Sequence, residues 1–256
     1  MLLARTVTLG LACSALVPAV SRAATESTAA LESDLSPSAG LEVDLPSRYI
    51  SRGIALNEGP AVQPSAWLGL AGASVTAWTS FDPALTSQTG PRPTDFNGVL
   101  AHEVEVGRLS VAPSVTWITF PGLAGTPQSV ELALDTNLSA GPVSLCVTNV
   151  LDALAFSGAW YGRVGLCAEH TLAAGFDVSA DASVSGGNET FHRANAGVAT
   201  SGLGHAEANL ALTVPTPGGT YLRLHGTYSR LLNPALVAAI PEHQLGLGGV
   251  AFGAAL

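Results

Sequence analysis

One feature restricts the fold of this chain more than any other: apolar and polar residues alternate with a period of two, segment after segment. FDVSADASV (176–184) sets Phe176, Val178, Ala180, Ala182 and Val184 against Asp177, Ser179, Asp181 and Ser183. LEVDL (41–45), VELALDTNL (130–138) and HAEANLALTV (205–214) repeat the pattern. Weaker copies lie near 62–70, 75–81, 99–106, 109–119, 143–149, 160–170, 220–230 and 244–256. Such alternation marks β-strands with one apolar and one polar face, and it predicts about 12 of them, within a range of 10–14.

The connections alternate as well. Those at 51–61, 82–98, 120–128, 150–159, 185–202 and 231–243 are long, whereas 71–74, 107–108, 139–142, 171–175 and 215–219 are short. Bacterial outer-membrane barrels have short periplasmic turns, longer outer loops and an even strand number. A soluble β-sandwich has many strands, but nothing forces every second connection to be short. The predicted fold is therefore all-β, a transmembrane antiparallel up-and-down β-barrel with lipid against its apolar face. Closure removes the unpaired edges that hydrocarbon does not tolerate.

Composition fits this. The chain is 47% hydrophobic and 11% charged, against about 25% charged in a typical soluble domain, and its mean hydropathy is +0.37. No apolar run after the first 25 residues approaches the roughly 20 residues of a spanning helix. The N-terminal stretch 1–24 has an early Arg5, an apolar run from Val7 to Val20 and small residues at its end. It reads as a signal peptide cleaved near Ala23 or Ala24; 25–40 reads as a flexible periplasmic leader, and 41–256 as the barrel. The chain contains no lysine and carries a formal charge of −9, which excludes nucleic-acid binding through phosphates. Tyr49, Phe81, Phe120, Trp160, Tyr161, Phe176, Tyr221 and Tyr228 lie near strand ends, as interfacial girdles require, while Trp67, Trp78 and Trp117 fall nearer mid-strand.

Parity assigns Glu42, Asp44, Glu103, Glu105, Glu131, Asp135, Glu169, Asp177, Asp181 and Glu207 to the interior, together with Arg163, Arg223, His205 and His225. An open, wet lumen with this acidic excess favours cations. Carboxylates and arginines that pair across a narrow lumen would instead plug it, and 12 strands is between the filled and the channel-forming sizes. Cys146 and Cys167 face inward on consecutive strands, in a compartment where disulfides persist. They are bridged if register brings their Cα atoms within about 7 Å; otherwise they are two thiols on adjacent strands.

Catalytic and metal signals are weak. His192 in NETFHRAN and His243 in PEHQ lie in long loops without a partner that sequence can place, and a lone loop histidine reads as solvated surface. The two mature cysteines have no second pair or histidine doublet at metal spacing. No enzyme, metal or cofactor is expected.

RYISRGIALNEGPAVQPSAWLGLAGASVTAWTSFD (48–82) resembles the N-terminal signature of the TorF-type porin family of bacterial outer-membrane proteins, whose function is poorly defined. The matching residues are Tyr49, Arg52-Gly53, Gln63-Pro64 and Trp78, and WYGRVGLCAEHTLAAGFDVSADASVS (160–185) is similar to a later hairpin of that family. The resemblance implies an outer-membrane porin. In one respect the chain departs from the pattern: such barrels usually finish on an aromatic residue, whereas this chain ends VAFGAAL on Leu256, with Phe252 on the same face.

The expected function is a porin of the bacterial cell outer membrane that passes small solutes passively through an acidic, cation-favouring lumen. The alternative is a closed barrel acting as a surface scaffold or adhesin through its long loops; a secreted soluble β-protein is a third class. Expected partners are outer-membrane lipid, small solutes and the barrel-assembly machinery during insertion.

Overall fold

The computed structural model describes residues 37–87, 90–121, 125–172 and 175–256. The signal peptide and most of the leader read from the sequence lie outside these residues. In chain order the elements are β1 (Ser38–Pro46), β2 (Ile50–Ser51), β3 (Ile54–Ala55), β4 (Gln63–Leu70), β5 (Ala73–Ser87), β6 (Gly90–His102), β7 (Val104–Val106), β8 (Leu109–Thr119), β9 (Ser129–Ala140), β10 (Val143–Asp152), β11 (Trp160–Thr171) and β12 (Asp177–Gly187). There follow α1 (Glu189–Ala196), β13 (Gly202–Thr216), β14 (Thr220–Leu231), α2 (Pro234–Ala239) and β15 (Gln244–Ala255).

Each wall strand pairs antiparallel with its neighbours, and β1 pairs with both β4 and β15, which closes the sheet. β6 and β7 both pair with β8 in one unbroken register, Ala101 opposite Ser114 and Val104 opposite Val111. They are one strand interrupted where His102 stands across from Pro113, which has no N–H to contribute to the ladder. With β6 and β7 counted together, and with the small β2–β3 hairpin set apart as a separate sheet, the wall has 12 strands. The first begins at Ser38, so the wall takes in the end of the stretch read as leader.

Parity decides what each face meets. Leu41 on β1, Leu68 on β4, Leu100 on β6, Leu166 on β11, Leu210 on β13 and Phe252 on β15 are all more than half exposed, while Glu42, Asp95, Asn97, Ser129, Glu131 and Asp152 are buried. A contiguous apolar outer face with a polar interior is the inverse of a soluble domain, and it is the arrangement of a lipid-embedded barrel. The chain is thus an outer-membrane-type barrel. Both described ends and the short turns share one rim, periplasmic in such barrels; the long connections share the other.

That outer rim is more structured than a set of open loops. Residues 82–87 and 90–98 are strand, because β5 and β6 continue in antiparallel pairing beyond the span read as strand. The loop 47–62 contains β2 and β3, 188–201 contains α1, and 232–243 contains α2.

Candidate functional site: an interior closed by an inserted hairpin

The loop between β1 and β4 turns into the barrel. At its tip Arg52 and Gly53 have φ values of 48° and 81°, the pair of positive angles that closes a two-residue hairpin. Gly53 is required twice over, since a Cβ there would also meet the His205 ring at 2.7 Å. The Arg52 guanidinium forms a fork with Glu131 on β9: Nη1 donates to Oε1 at 2.8 Å and Nη2 to Oε2 at 2.6 Å. It also lies 5.0 Å from the ring centre of Tyr161 on β11 and 5.6 Å from that of Phe191 on α1. On the opposite side of the hairpin, the Tyr49 hydroxyl donates to Asp95 on β6 at 3.0 Å, and its ring packs against Trp78 on β5. Contacts with β5 and β6 at one side and with β9, β11 and β13 at the other carry this segment across the lumen.

Helix α1 seals the same end. The Asn188 side-chain oxygen caps it by accepting from Phe191 N at 2.9 Å, and also accepts from Trp160 N at 3.1 Å. Phe191 then joins Val150, Ala159 and Tyr161 in one apolar cluster, and Phe156 links it to a second one of Ile118 and Phe120. Asp152 braces the neighbouring loop: Ser129 Oγ donates to its Oδ2 at 2.6 Å, and the backbone N–H groups of Leu154 and Phe156 donate to its Oδ1. The two cavities beside Arg52 measure about 10 Å³ each, room for roughly one water apiece. His192 is buried with Nδ1 on Thr200 O at 3.0 Å, and desolvation lowers its pKa below the ordinary 6.5 despite that bond.

Below the hairpin the wall is polar and half-buried. Glu42 accepts from the Tyr221 hydroxyl at 2.8 Å and from Arg223 Nη2 at 2.5 Å, and Asp44 meets His225 Nε2 at 2.8 Å. These contacts pass from β14 to β1 over the inner face of β15, which is small there. A Cβ at Gly253 would stand 2.1 Å from the Tyr221 ring. Arg163 pairs with Asp181, and Asn209 Nδ2 bonds both Asp181 (3.2 Å) and Glu207 (3.0 Å). Thr148 donates to Asp135 at 2.5 Å, Thr171 to Asp177 at 2.6 Å and Ser110 to Glu103 at 2.5 Å. Glu103 and Glu105 are exposed at the periplasmic rim, and Glu169 is at that end of β11. Cys146 and Cys167 form a disulfide with Cα atoms 6.2 Å apart.

Of the 14 charged or histidine residues assigned inward by parity, 13 lie on strands and Glu103 in the one-residue gap between β6 and β7; they divide into two groups. Glu131 and His205 are sealed under the hairpin, and the others line the wall below it or the rim. Some of the sequence reading needs correction. Tyr49, Phe120 and Tyr161 are buried at the outer end and Tyr221 reaches Glu42 inside, so they form no girdle; Trp160 and Tyr228 are exposed on the outer surface. Strand-end position cannot distinguish a ring facing lipid from one covered by a returning loop. His192 is not solvated surface but buried, because α1 folds inward. Sequence reading also missed that Ser185 Oγ meets His205 Nδ1 at 2.8 Å, with the His205 ring against Gly53; the register of β12 on β13 shifts between Val184 and Gly186, beside this contact. The family-like residues turn out to be the hairpin and its supports: Tyr49, Arg52 and Gly53 on it, Trp78 against it, Gln63 bonded to Ser80 at 3.4 Å below it, and Pro64 in the adjoining strand opposite Val43.

No protein-family model matches the chain, and no curated protein does. Among solved structures it is similar to the KdgM porin in complex with disordered oligogalacturonate, at 7% identity and a TM-score of 0.50, over 85% of this chain and 98% of that one. It is also similar to the NanC porin, at 12% identity and a TM-score of 0.49, over 83% and 97%. The outer-membrane phospholipase A of Escherichia coli matches at 12% identity and a TM-score of 0.44, over 85% and 92%. At such identities the likeness concerns the fold alone.

Proposed function

We propose that the protein is a bacterial outer-membrane porin, of the TorF type by its residue pattern, that passes small solutes passively and favours cations. The observation that supports this best is the contrast along the lumen. From the rim residues Glu103 and Glu105 up to Asp44, Asp181 and Glu207, the wall is acidic and polar, and the obstruction above it belongs to helix α1 and to a hairpin only two ladder pairs long. Transport of this kind needs no bond chemistry, only a charged path and a controlled entrance. The partners in this reading are lipid, small cationic solutes and the barrel-assembly machinery.

The dry outer end favours a second reading: a permanently closed barrel whose outer loops serve as a scaffold or adhesin. Conductance of the refolded, detergent-purified protein in a planar bilayer under a salt gradient separates the two, with folding checked by a heat-dependent gel shift. Discrete steps with a cation-selective reversal potential are expected for the porin. Anion-selective steps refute the acidic path, and silence from a folded barrel refutes the porin.

A further inference from the structure

The wall around Arg52 has the form of a guanidinium-binding site, and the chain's own arginine occupies it. Glu131 receives the guanidinium fork through both oxygens at 2.8 and 2.6 Å, with the two side chains only 1% and 5% exposed. Tyr161 and Phe191 present their rings to the same group at 5.0 and 5.6 Å. A carboxylate fork with aromatic faces is how proteins select a planar guanidinium over a spherical ammonium. None of these partners belongs to the hairpin; they come from β9, β11 and α1. The site is therefore complete in the wall without its tenant.

The turn itself carries independent evidence. Arg52 has φ of 48°, a region that costs a residue with a Cβ about 1 kcal/mol or more and that two-residue turns usually fill with Asn, Asp or Gly. Turn chemistry has been given up here for a side chain, which points to a role for that side chain beyond closing a hairpin. The β2–β3 ladder that holds it has two pairs, Ile50 with Ala55 and Ser51 with Ile54.

We infer that Glu131, Tyr161 and Phe191 form a binding site for guanidinium-bearing solutes, occupied in cis by Arg52, and that an incoming guanidinium displaces Arg52, frees the hairpin and opens the lumen. The opening step rests on the porin reading; the binding step does not. Once the hairpin withdraws, the acidic wall below offers the displaced cation its onward path.

The test uses full-length refolded protein with methylguanidinium chloride as probe, and methylammonium and sodium chloride at equal ionic strength as controls. Arg52→Ala empties the site. Its midpoint in the heat-dependent gel shift is expected to rise, saturably, with millimolar methylguanidinium, to rise less with methylammonium, and to lose the difference in the Arg52→Ala/Glu131→Gln double variant. If Arg52→Ala does not fold, Arg52→Gln takes its place, since it keeps most of the apolar stem and carries neither the charge nor the fork. In planar bilayers the unaltered protein is expected to open more often, severalfold, when methylguanidinium replaces sodium on the outer side, and Arg52→Ala to be open without it. No methylguanidinium-specific stabilisation of the emptied site overturns the binding inference, whatever the current. Specific stabilisation with no current from any variant overturns the opening step together with the porin reading, and leaves the site standing.

Discussion

The outer and periplasmic halves of the barrel interior are built on the same alternating strands, yet their polar groups are used differently. In the outer half Glu131, Asp95 and Asp152 are nearly inaccessible and are matched by Arg52, Tyr49, Ser129 and backbone N–H groups. In the periplasmic half Asp135, Asp177 and Asp181 keep partial access to water and bond mainly to hydroxyl, amide and arginine groups on neighbouring strands. A buried carboxylate must be fully matched, because desolvation is costly; a wet one need not be. The difference shows that occlusion is not a property of 12 strands but of what the β1–β4 loop and α1 insert among them.

The largest effect is expected where the outer half depends on a single pair. Glu131→Ala leaves the Arg52 guanidinium in a buried position without its fork, which in such sites costs about 3–5 kcal/mol. The temperature of the gel shift should fall strongly, and amides of 47–62 should lose hydrogen-exchange protection before those of the wall. If the hairpin stays protected, the pair does not hold the outer half closed.

The periplasmic half has a covalent tie instead. Cys146→Ser with Cys167→Ser opens a link of 21 residues' separation, a loss of about 3 kcal/mol in the chain-entropy account. The loss should appear in global stability, read by denaturant titration in lipid, and leave the protection of 47–62 unchanged. Loosening of the hairpin in this variant would mean that the halves are one cooperative unit.

A smaller effect is expected at the seam between β1 and β15. Gly253→Ala places a methyl group where the Tyr221 ring now lies, which overpacks the inner wall at a cost of about 2 kcal/mol. Tyr221→Ala removes the ring that the methyl group would strike. The double variant should then be less destabilised than the two single ones together, because the sites share one contact. Additive losses would show that the ring moves aside and that its bond to Glu42 contributes little.

The wall was legible in the sequence and the hairpin was not, for a physical reason. Period-two alternation in segments such as 176–184 reports which face a residue takes, and a one-residue slip would turn every Leu inward, so strands, closure and inward carboxylates could be read locally. What covers an inward face is set by chain segments far away. Glu131 and Asp177 look alike in their strands, and the return of 47–62 with α1 beside it buries the first. The Arg52-Gly53 turn is local, but nothing near 131 or 161 in the chain announces the site it enters. The same holds for His192: its amphipathic eight-residue helix was hidden in a segment read as loop.

That histidine gives the smallest and most selective test of the difference between the halves. Burial lowers its pKa below 6.5 in the folded state, so above that pH it is neutral whether α1 is docked or not, and docking carries no proton cost. As pH falls below 6.5 the undocked or unfolded chain takes up a proton that the docked helix resists. Undocking then binds more protons than the docked state, and its free energy falls with pH until the lowered folded-state pKa is reached. Amides of 189–200 should therefore exchange faster at pH 5 than at pH 7.5 after correction for intrinsic rates, by the equivalent of about 1 kcal/mol or less, while the strands of the periplasmic half change less. His192→Gln should remove most of that pH dependence and keep the neutral-pH protection. If the variant retains it, the sensitivity lies in the carboxylates of the interior, and the outer half is no more pH-responsive than the acidic wall beneath it.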